Sequence, residues 1–492
     1  MVLAWAGKSN KAIGRFTRGV GLFPAIFAAL CGGLVIAVAA DGFLRWVTPV
    51  DTAKPAAQID VTRIALTVVA GVGGVVALVI AYRRQRDIEQ GRFVERFGAA
   101  AAQLGATDVA VRIAGVYAMA GVADESADRR RQQCIEVLCG YLRLPYSPEL
   151  GSNHQSKLVL KHHRATADGT RADDSERHLE YRHNDREVRA TIVRVIADHL
   201  RLNAEYSWST SDFDFRTAHL EDVDFRAVRF SGAARFDGTT FAGLARFDGA
   251  TFAGSADFLW ATFSGSAYFG ETTFSGEAWF GHTTFCDTAD FEGAAFSDSA
   301  WFEGATFCAT TDFMGAAFSK TTWFADTTFS DSATFAGATF SDFTDFGGAT
   351  FTGSANFGGA TFTNSIGYKG TTFCGSVDFG GATFSSRATF VSATFSGDTR
   401  FGGATFSRTT DFGGATFSGD TDFDHTVFSG TTTFGGVTFS GTADFKGADF
   451  GAAVVSFVNP LQWGPPAPTF DWDQDVGQKP GNVEPQDWPP KV

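Results

Sequence analysis

Read only for apolar and polar positions, the chain falls into three regimes. The first holds two apolar runs, Leu22 to Ala40 (LFPAIFAALCGGLVIAVAA) and Ile64 to Tyr82 (IALTVVAGVGGVVALVIAY), each nineteen residues without a charge. A helix needs roughly 20 such residues to cross a bilayer, so the pattern predicts spans at about 22–40 and 64–82. A cleaved signal peptide is the alternative for the first run, because AVAAD resembles a small-residue cleavage site. In the second regime, 87–149, apolar residues such as Phe93, Phe97, Leu104, Val116 and Met119, then Ile135, Leu138 and Leu142, recur at three- and four-residue spacings. That is the period of packed helices, and Pro145 and Pro148 close it. Residues 150–185 are polar and hold His154, His162, His163, His178 and His183. Such a tract can bind metal, but these spacings are irregular and no Cys is near, so a solvated linker is expected. A helix over 186–204 then places Val188, Ile192, Val195, Ile196 and Leu200 on one face, able to cap the segment that begins at 205.

The third regime, 205–450, has neither period. Phe215, Leu220, Phe225 and Phe230 are five apart, and from Phe236 to Phe450 aromatic residues recur at 5, 6, 5, 6 without interruption. Two ladders of period 11 result, one through Phe236, Phe247 and Phe258, the other through Phe241, Phe252 and Phe263. Their 40 positions are all Phe except Tyr368. Fixed self-similarity of this kind is the mark of a solenoid. An 11-residue period also suits a right-handed coiled coil, but the units are loaded with Gly, Ser and Thr, which are poor helix formers. Short extended segments joined by tight corners remain.

The substitutions set the length of one turn. Trp279, Trp301 and Trp323 are 22 apart, with Asp290 and Asp312 at the intervening equivalents. Ala295 and Ala317, and Cys286 and Cys308, are also 22 apart, and every site from Thr240 to Thr438 at that interval is Thr. Each coil therefore has four faces and 22 residues, so the ladder makes ten coils, ten to eleven with its ends. Stacked at the strand spacing of roughly 4.8 Å, they build a rod of about 50 Å. Such a rod needs caps. The helix before 205 is expected at one end and Val454, Val455, Phe457, Leu461 and Trp463 at the other. Eight of the chain's 13 Pro lie beyond, in a tail (451–492 with the cap) expected to leave the body.

The segment TAHLEDVDFRAVRF resembles the A(D/N)LXX motif of the pentapeptide-repeat family, and the later FSGATF-type units resemble its Phe-centred 11-residue variant. The resemblance covers about 215–450. It implies an all-β right-handed quadrilateral β-helix, with the central residue and the residue two before it pointing inward. The apolar hairpin followed by ERFGAAAAQLG, VRIAGVYAM and QCIEVLCGYLR resembles the N-terminal part of actinobacterial membrane-anchored pentapeptide-repeat proteins. Six-residue faces, and Phe in place of Leu, depart from the standard form.

Charge divides the chain. Residues 236–450 hold 23 acidic and 7 basic residues, net −16, whereas 1–235 hold 31 basic and 26 acidic, net +5. Lys8, Lys11, Arg15 and Arg18 precede the first run, and Arg83, Arg84, Arg86, Arg92 and Arg96 follow the second. By the positive-inside rule the termini and the repeat domain are expected in the cytoplasm, the hairpin in the inner membrane. The six Cys (31, 134, 139, 286, 308, 374) form no CxxC pair. Cys134 and Cys139 are expected in a core, and the other solenoid Cys as exposed thiols rather than a 286–308 disulfide. No P-loop, GxGxxG after a strand, HExxH or GxSxG occurs. The Asp columns face outward on a flat wall with no loop to shape a cleft, so catalysis, cofactors, metals and small-molecule substrates are not expected. What remains is a scaffold whose Trp279–Trp301–Trp323 stripe meets an unknown protein partner. The alternative is an acidic DNA mimic, because related quinolone-resistance pentapeptide proteins resemble duplex DNA and bind topoisomerases. One charge per roughly 3 Å is about half the density of DNA, and nucleic acid itself is not expected to bind. The unbroken Thr column resembles ice-binding solenoids, but β-propensity accounts for it.

Overall fold

The computed structural model describes residues 56–148, 157–165, 171–180 and 185–492, with isolated positions between 35 and 46. Apart from three of those positions, the first apolar run lies outside the described residues, and so does its alternative as a signal peptide. The second run lies in a helix, Ala56–Leu104. Among the described residues, no helix is long and apolar enough to cross a membrane. The chain divides into two compact units, Met1–Arg96 and Phe97–Val492.

Within the second unit, the helical pattern of 87–149 gives helices Val109–Asp124 and Asp128–Leu142. The Asp108 carboxylate accepts from the backbone N–H of Ala110 at 2.7 Å, satisfying a donor that a helix start leaves open. A Cβ on Gly115 would sit 2.7 Å from the Leu104 nitrogen, so glycine sets the closeness of that turn. Cys134 and Cys139 are buried, and burial pushes their thiols up to about 11 and about 12. The tract expected as a linker instead contains an antiparallel pair, Lys157–Ala165 and Arg171–Glu180. Both strands are mostly charged and His residues, so the apolar alternation that marks a strand is missing from their sequence. Next, the helix Asp185–Leu200 buries Val188, Ile192, Val195, Ile196 and Leu200, packing on helices Val109–Asp124 and Asp128–Leu142 and on the His219–Asp224 strand of the first coil. Trp208, fully buried, stacks on His199 at 4.0 Å and donates its indole N–H to Asp124 at 2.8 Å.

The solenoid is a parallel one of about eleven turns. After two longer strands in the first coils, His219–Asp224 and Thr240–Arg246, a coil carries four two-residue strands, for example Thr262–Phe263, Ala267–Tyr268, Thr273–Phe274 and Ala278–Trp279. Between the two ends, the strands pair in register with their equivalents 22 residues on: Thr262 with Thr284, Ala267 with Ala289, Thr273 with Ala295, Ala278 with Ala300. The four-faced, 22-residue coil read from the substitutions is thus the coil observed.

The ladder aromatics fill the interior in four columns. Phe241, Phe263, Phe285 and Phe307 stack at 4.4, 4.8 and 4.7 Å, nearly parallel. Rings of neighbouring columns meet edge to face, as Phe258 and Phe269 do at 5.6 Å and 88°. Both geometries suit the ring quadrupole, each pair adding about 0.5–1.5 kcal/mol beyond burial. The residue two before each ring completes the core. In the Phe241 ladder, where it is Thr its hydroxyl donates to a carbonyl one coil away, as Thr272 to Phe247 at 2.8 Å and Thr283 to Phe258 at 2.7 Å. In the Phe236 ladder, Thr421 excepted, it donates to the carbonyl two residues back, as Thr322 to Lys320 at 3.2 Å. Such donation lets a polar side chain be buried without penalty.

Tyr368 breaks that rule. Its ring is fully buried and stacks on Phe346 at 5.1 Å and Phe390 at 5.0 Å, but its hydroxyl has no hydrogen-bond partner among the described residues. Burial holds its proton well above the ordinary tyrosine range. Tyr368→Phe should therefore stabilise the protein by about 1–3 kcal/mol, the cost of an unsatisfied buried polar group. A urea midpoint that falls instead of rising would mean that the hydroxyl is satisfied.

The solenoid does not stop at 450, and its tail does not leave the body. Val455–Ser456 pairs with Thr432–Thr433, Gln462–Trp463 with Thr438–Phe439, and Val483–Glu484 with Val455–Ser456. Phe457 stacks on Phe434 at 4.7 Å and Phe470 on Phe445 at 4.9 Å, while Trp488 lies edge-on to Phe470 at 5.0 Å. The physical reason is the open end of the aromatic columns, which would otherwise meet water. Val455 and Phe457 act in the cap as expected, but Val454 and Leu461 are exposed at 42% and 70%, their places taken by Phe470, Trp472 and Val483.

Candidate interaction surface

Parallel pairing in register places identical residues directly above one another, so any repeated outward residue becomes a stripe. The tryptophans form one. Trp279 pairs with Trp301, and Trp301 with Trp323. Their rings stack at 4.9 Å and 3°, then at 5.7 Å and 11°. Phe343, set beside the stripe, meets Trp323 edge-on at 5.5 Å. All three indoles are half-buried. In the same column the ladder is bracketed by Asp257, paired with Trp279, and Asp345, paired with Trp323. Burial above all, with Asp237 adding, pushes the Asp257 carboxyl up to about 6.

The indole N–H groups of Trp301 and Trp323 are sealed from solvent and have no hydrogen-bond partner among the described residues. Each such group costs stability. Cross-strand stacking, worth roughly 0.2–1 kcal/mol per pair, is therefore an incomplete reason for three tryptophans on a wall where Asp and Thr serve elsewhere.

The Asp columns have a structural role. Asp290 and Asp312 pair in register on another face. Each accepts from the backbone N–H two residues on, Glu292 at 2.9 Å and Met314 at 2.7 Å, and Asp345, Asp378, Asp411 and Asp422 do the same. These carboxylates hold turns. Six of the solenoid's aspartates, 378, 398, 420, 422, 424 and 444, gather round Arg400 in a shallow concavity of about 730 Å³. Among the described residues, no three His, Cys, Asp or Glu side chains are grouped to hold a metal ion. Cys286, Cys308 and Cys374 are exposed free thiols. The Thr240–Thr438 column is half-buried along one face.

One outward aromatic is not part of any periodic stripe. Trp260 is 61% exposed at a corner of left-handed backbone (φ 58°) and stacks on His282 at 4.2 Å. The corner equivalents Gly304, Asp326 and Gly348 also take positive φ. A large side chain there is a departure from the repeat, and that departure was its signal.

The profile of pentapeptide repeats matches nine copies, over residues 215–259, 324–366, 368–416 and 412–459. No curated protein and no solved structure matches the chain. With the repeat units in the sequence and a parallel four-faced solenoid built from them, the solenoid of this chain is a pentapeptide-repeat domain.

Proposed function

We propose that the chain is a non-enzymatic, membrane-anchored scaffold that presents the Trp279–Trp301–Trp323 ladder to a protein partner. The pair of sealed, unpartnered indole N–H groups carries this reading, because stability alone gives no reason to keep them. Half-buried aromatics of this kind suit the centre of a protein contact, where Trp is enriched. The carboxylates of Asp257 and Asp345 at its two ends favour a basic partner surface. The anchor is supported by the two nineteen-residue apolar runs and the basic residues outside them, which favour an inner-membrane hairpin with a cytoplasmic solenoid.

The test is proximity labelling from the C-terminus in the native host, comparing the full chain with a triple variant, Trp279→Thr, Trp301→Thr and Trp323→Thr. Thr389 and Thr433 already occupy this column, so the coil accepts the change. A protein enriched by the parent chain should fall at least tenfold with the variant at unchanged abundance. Equal enrichment would reject the ladder as the contact. Enrichment of topoisomerase subunits indifferent to the tryptophans would instead support the acidic concavity around Arg400 as a DNA mimic.

A further inference from the structure

The stacking that makes the tryptophan ladder also brings two thiols together. Thr284–Phe285 pairs in register with Thr306–Phe307, and Cys286 and Cys308 are the next residues of those two strands. The ladder runs on through them. Cys286 donates its backbone N–H to Phe263 and Cys308 to Phe285, both at 2.8 Å, and Ser330 continues the series to Phe307 at 2.8 Å. The two cysteines thus hold one position on successive coils. Their Cα atoms are a strand spacing apart, about 4.8 Å, inside the roughly 4.4–6.8 Å range that a disulfide spans. Both side chains are exposed. Burial is the larger cause that raises the Cys286 thiol above its ordinary value, and the nearness of Cys308 is the other.

We propose that Cys286 and Cys308 are a redox site, a dithiol that closes to an intrachain disulfide at the expense of a low-molecular-weight disulfide. One cysteine thiolate attacks a sulfur of the small disulfide RSSR, forming a mixed disulfide and releasing one RS⁻. The second thiolate attacks the protein sulfur of that mixed disulfide, forming the 286–308 bond and releasing the second RS⁻. The two protons lost by the cysteines end on the departing thiolates, so the protein is oxidised by two electrons and RSSR becomes two RSH. The bond ties together the two coils that carry Trp279 and Trp301, on the face that comes after theirs along the chain.

The fold supplies its own control. Cys374 sits in the same column three coils on, where its neighbours 22 residues away are Thr352 and Ser396. It has the same setting without a partner thiol.

The experiment treats the reduced full chain with oxidised glutathione, alkylates the remaining thiols, and maps peptides by mass spectrometry without reduction. The expected result is a joined 286–308 peptide pair in monomeric protein. Alkylation at both positions should fall at least tenfold, while Cys374 is found alkylated or carrying glutathione. In Cys308→Ser, Cys286 should carry a stable glutathione adduct in place of the joined pair. The proposal is overturned if Cys286 and Cys308 each carry glutathione to the extent that Cys374 does. It is equally overturned if all three stay free, or if the bond joins two chains.

Discussion

Phe324→Ala should lower the stability of the solenoid by about 3–5 kcal/mol, the range for removing a buried aromatic ring. Phe324 is fully buried. It stacks on Phe302 at 4.8 Å and Phe346 at 4.7 Å, and meets Phe313 and Phe335 edge-on, each at 5.5 Å. Its loss removes contact with six rings, counting Phe318, edge-on at 6.1 Å, and Phe329, tilted at 6.3 Å. Neighbours cannot close the gap, because each is fixed by a backbone ladder at its own 22-residue interval. In a one-dimensional stack, a coil touches only the coils beside it, so the damage sits at one interface and cooperativity across it weakens. Urea unfolding should therefore show a lower midpoint and a broadened or two-step transition. An unchanged profile, or a loss under about 1 kcal/mol, would show that the columns are not what holds the coils together.

That interior was legible in the sequence because solenoid contacts occur at one constant separation. Phe302 to Phe324, Trp279 to Trp301 and Thr262 to Thr284 are all steps of 22. A single physical relation repeated along the chain leaves a period, and substitutions that persist for two or three coils reveal its length. The ends have no such record. Asn482 donates to the carbonyls of Phe450 at 2.9 Å and Ala453 at 2.6 Å, and Trp488 covers Phe470. Each of these contacts occurs once, at its own separation, so composition alone makes a Pro-rich segment look like a tail that leaves the body. The stripe was legible as a set of positions, but its two sealed indole N–H groups are a matter of atoms, which periodicity does not reach. The aspartates show the converse limit. They count as charge in the sequence, but in the structure many of them are the acceptors that hold each turn.

Asp185→Asn should cost about 3–5 kcal/mol, the range for breaking a buried ion pair from one side. Arg112 is fully buried, and its guanidinium donates to Asp185 at 2.6 Å and to the Tyr141 hydroxyl at 3.0 Å. That hydroxyl donates in turn to the same carboxylate oxygen at 2.6 Å. Arg189, one helical turn on, lies 3.9 Å from the other carboxylate oxygen. It donates to the carbonyls of Leu142 and, at 3.1 Å, of His219 in the first coil. One carboxylate thus joins three helices, and through Arg189 they join the solenoid. Asparagine keeps the shape and removes the Asp185 charge from beside the Arg112 guanidinium, where water does not reach. Because this cluster belongs to the N-terminal cap, the effect should be local. Amide hydrogen exchange should quicken over 185–230 and stay unchanged over 300–400. A companion variant separates charge from packing: Arg112→Met with Asp185→Leu should recover more than half of the loss, since an apolar pair of similar volume replaces a buried ion pair with little penalty. If the single variant loses less than about 1 kcal/mol, or exchange quickens along the whole rod, then the cap is not held by this carboxylate.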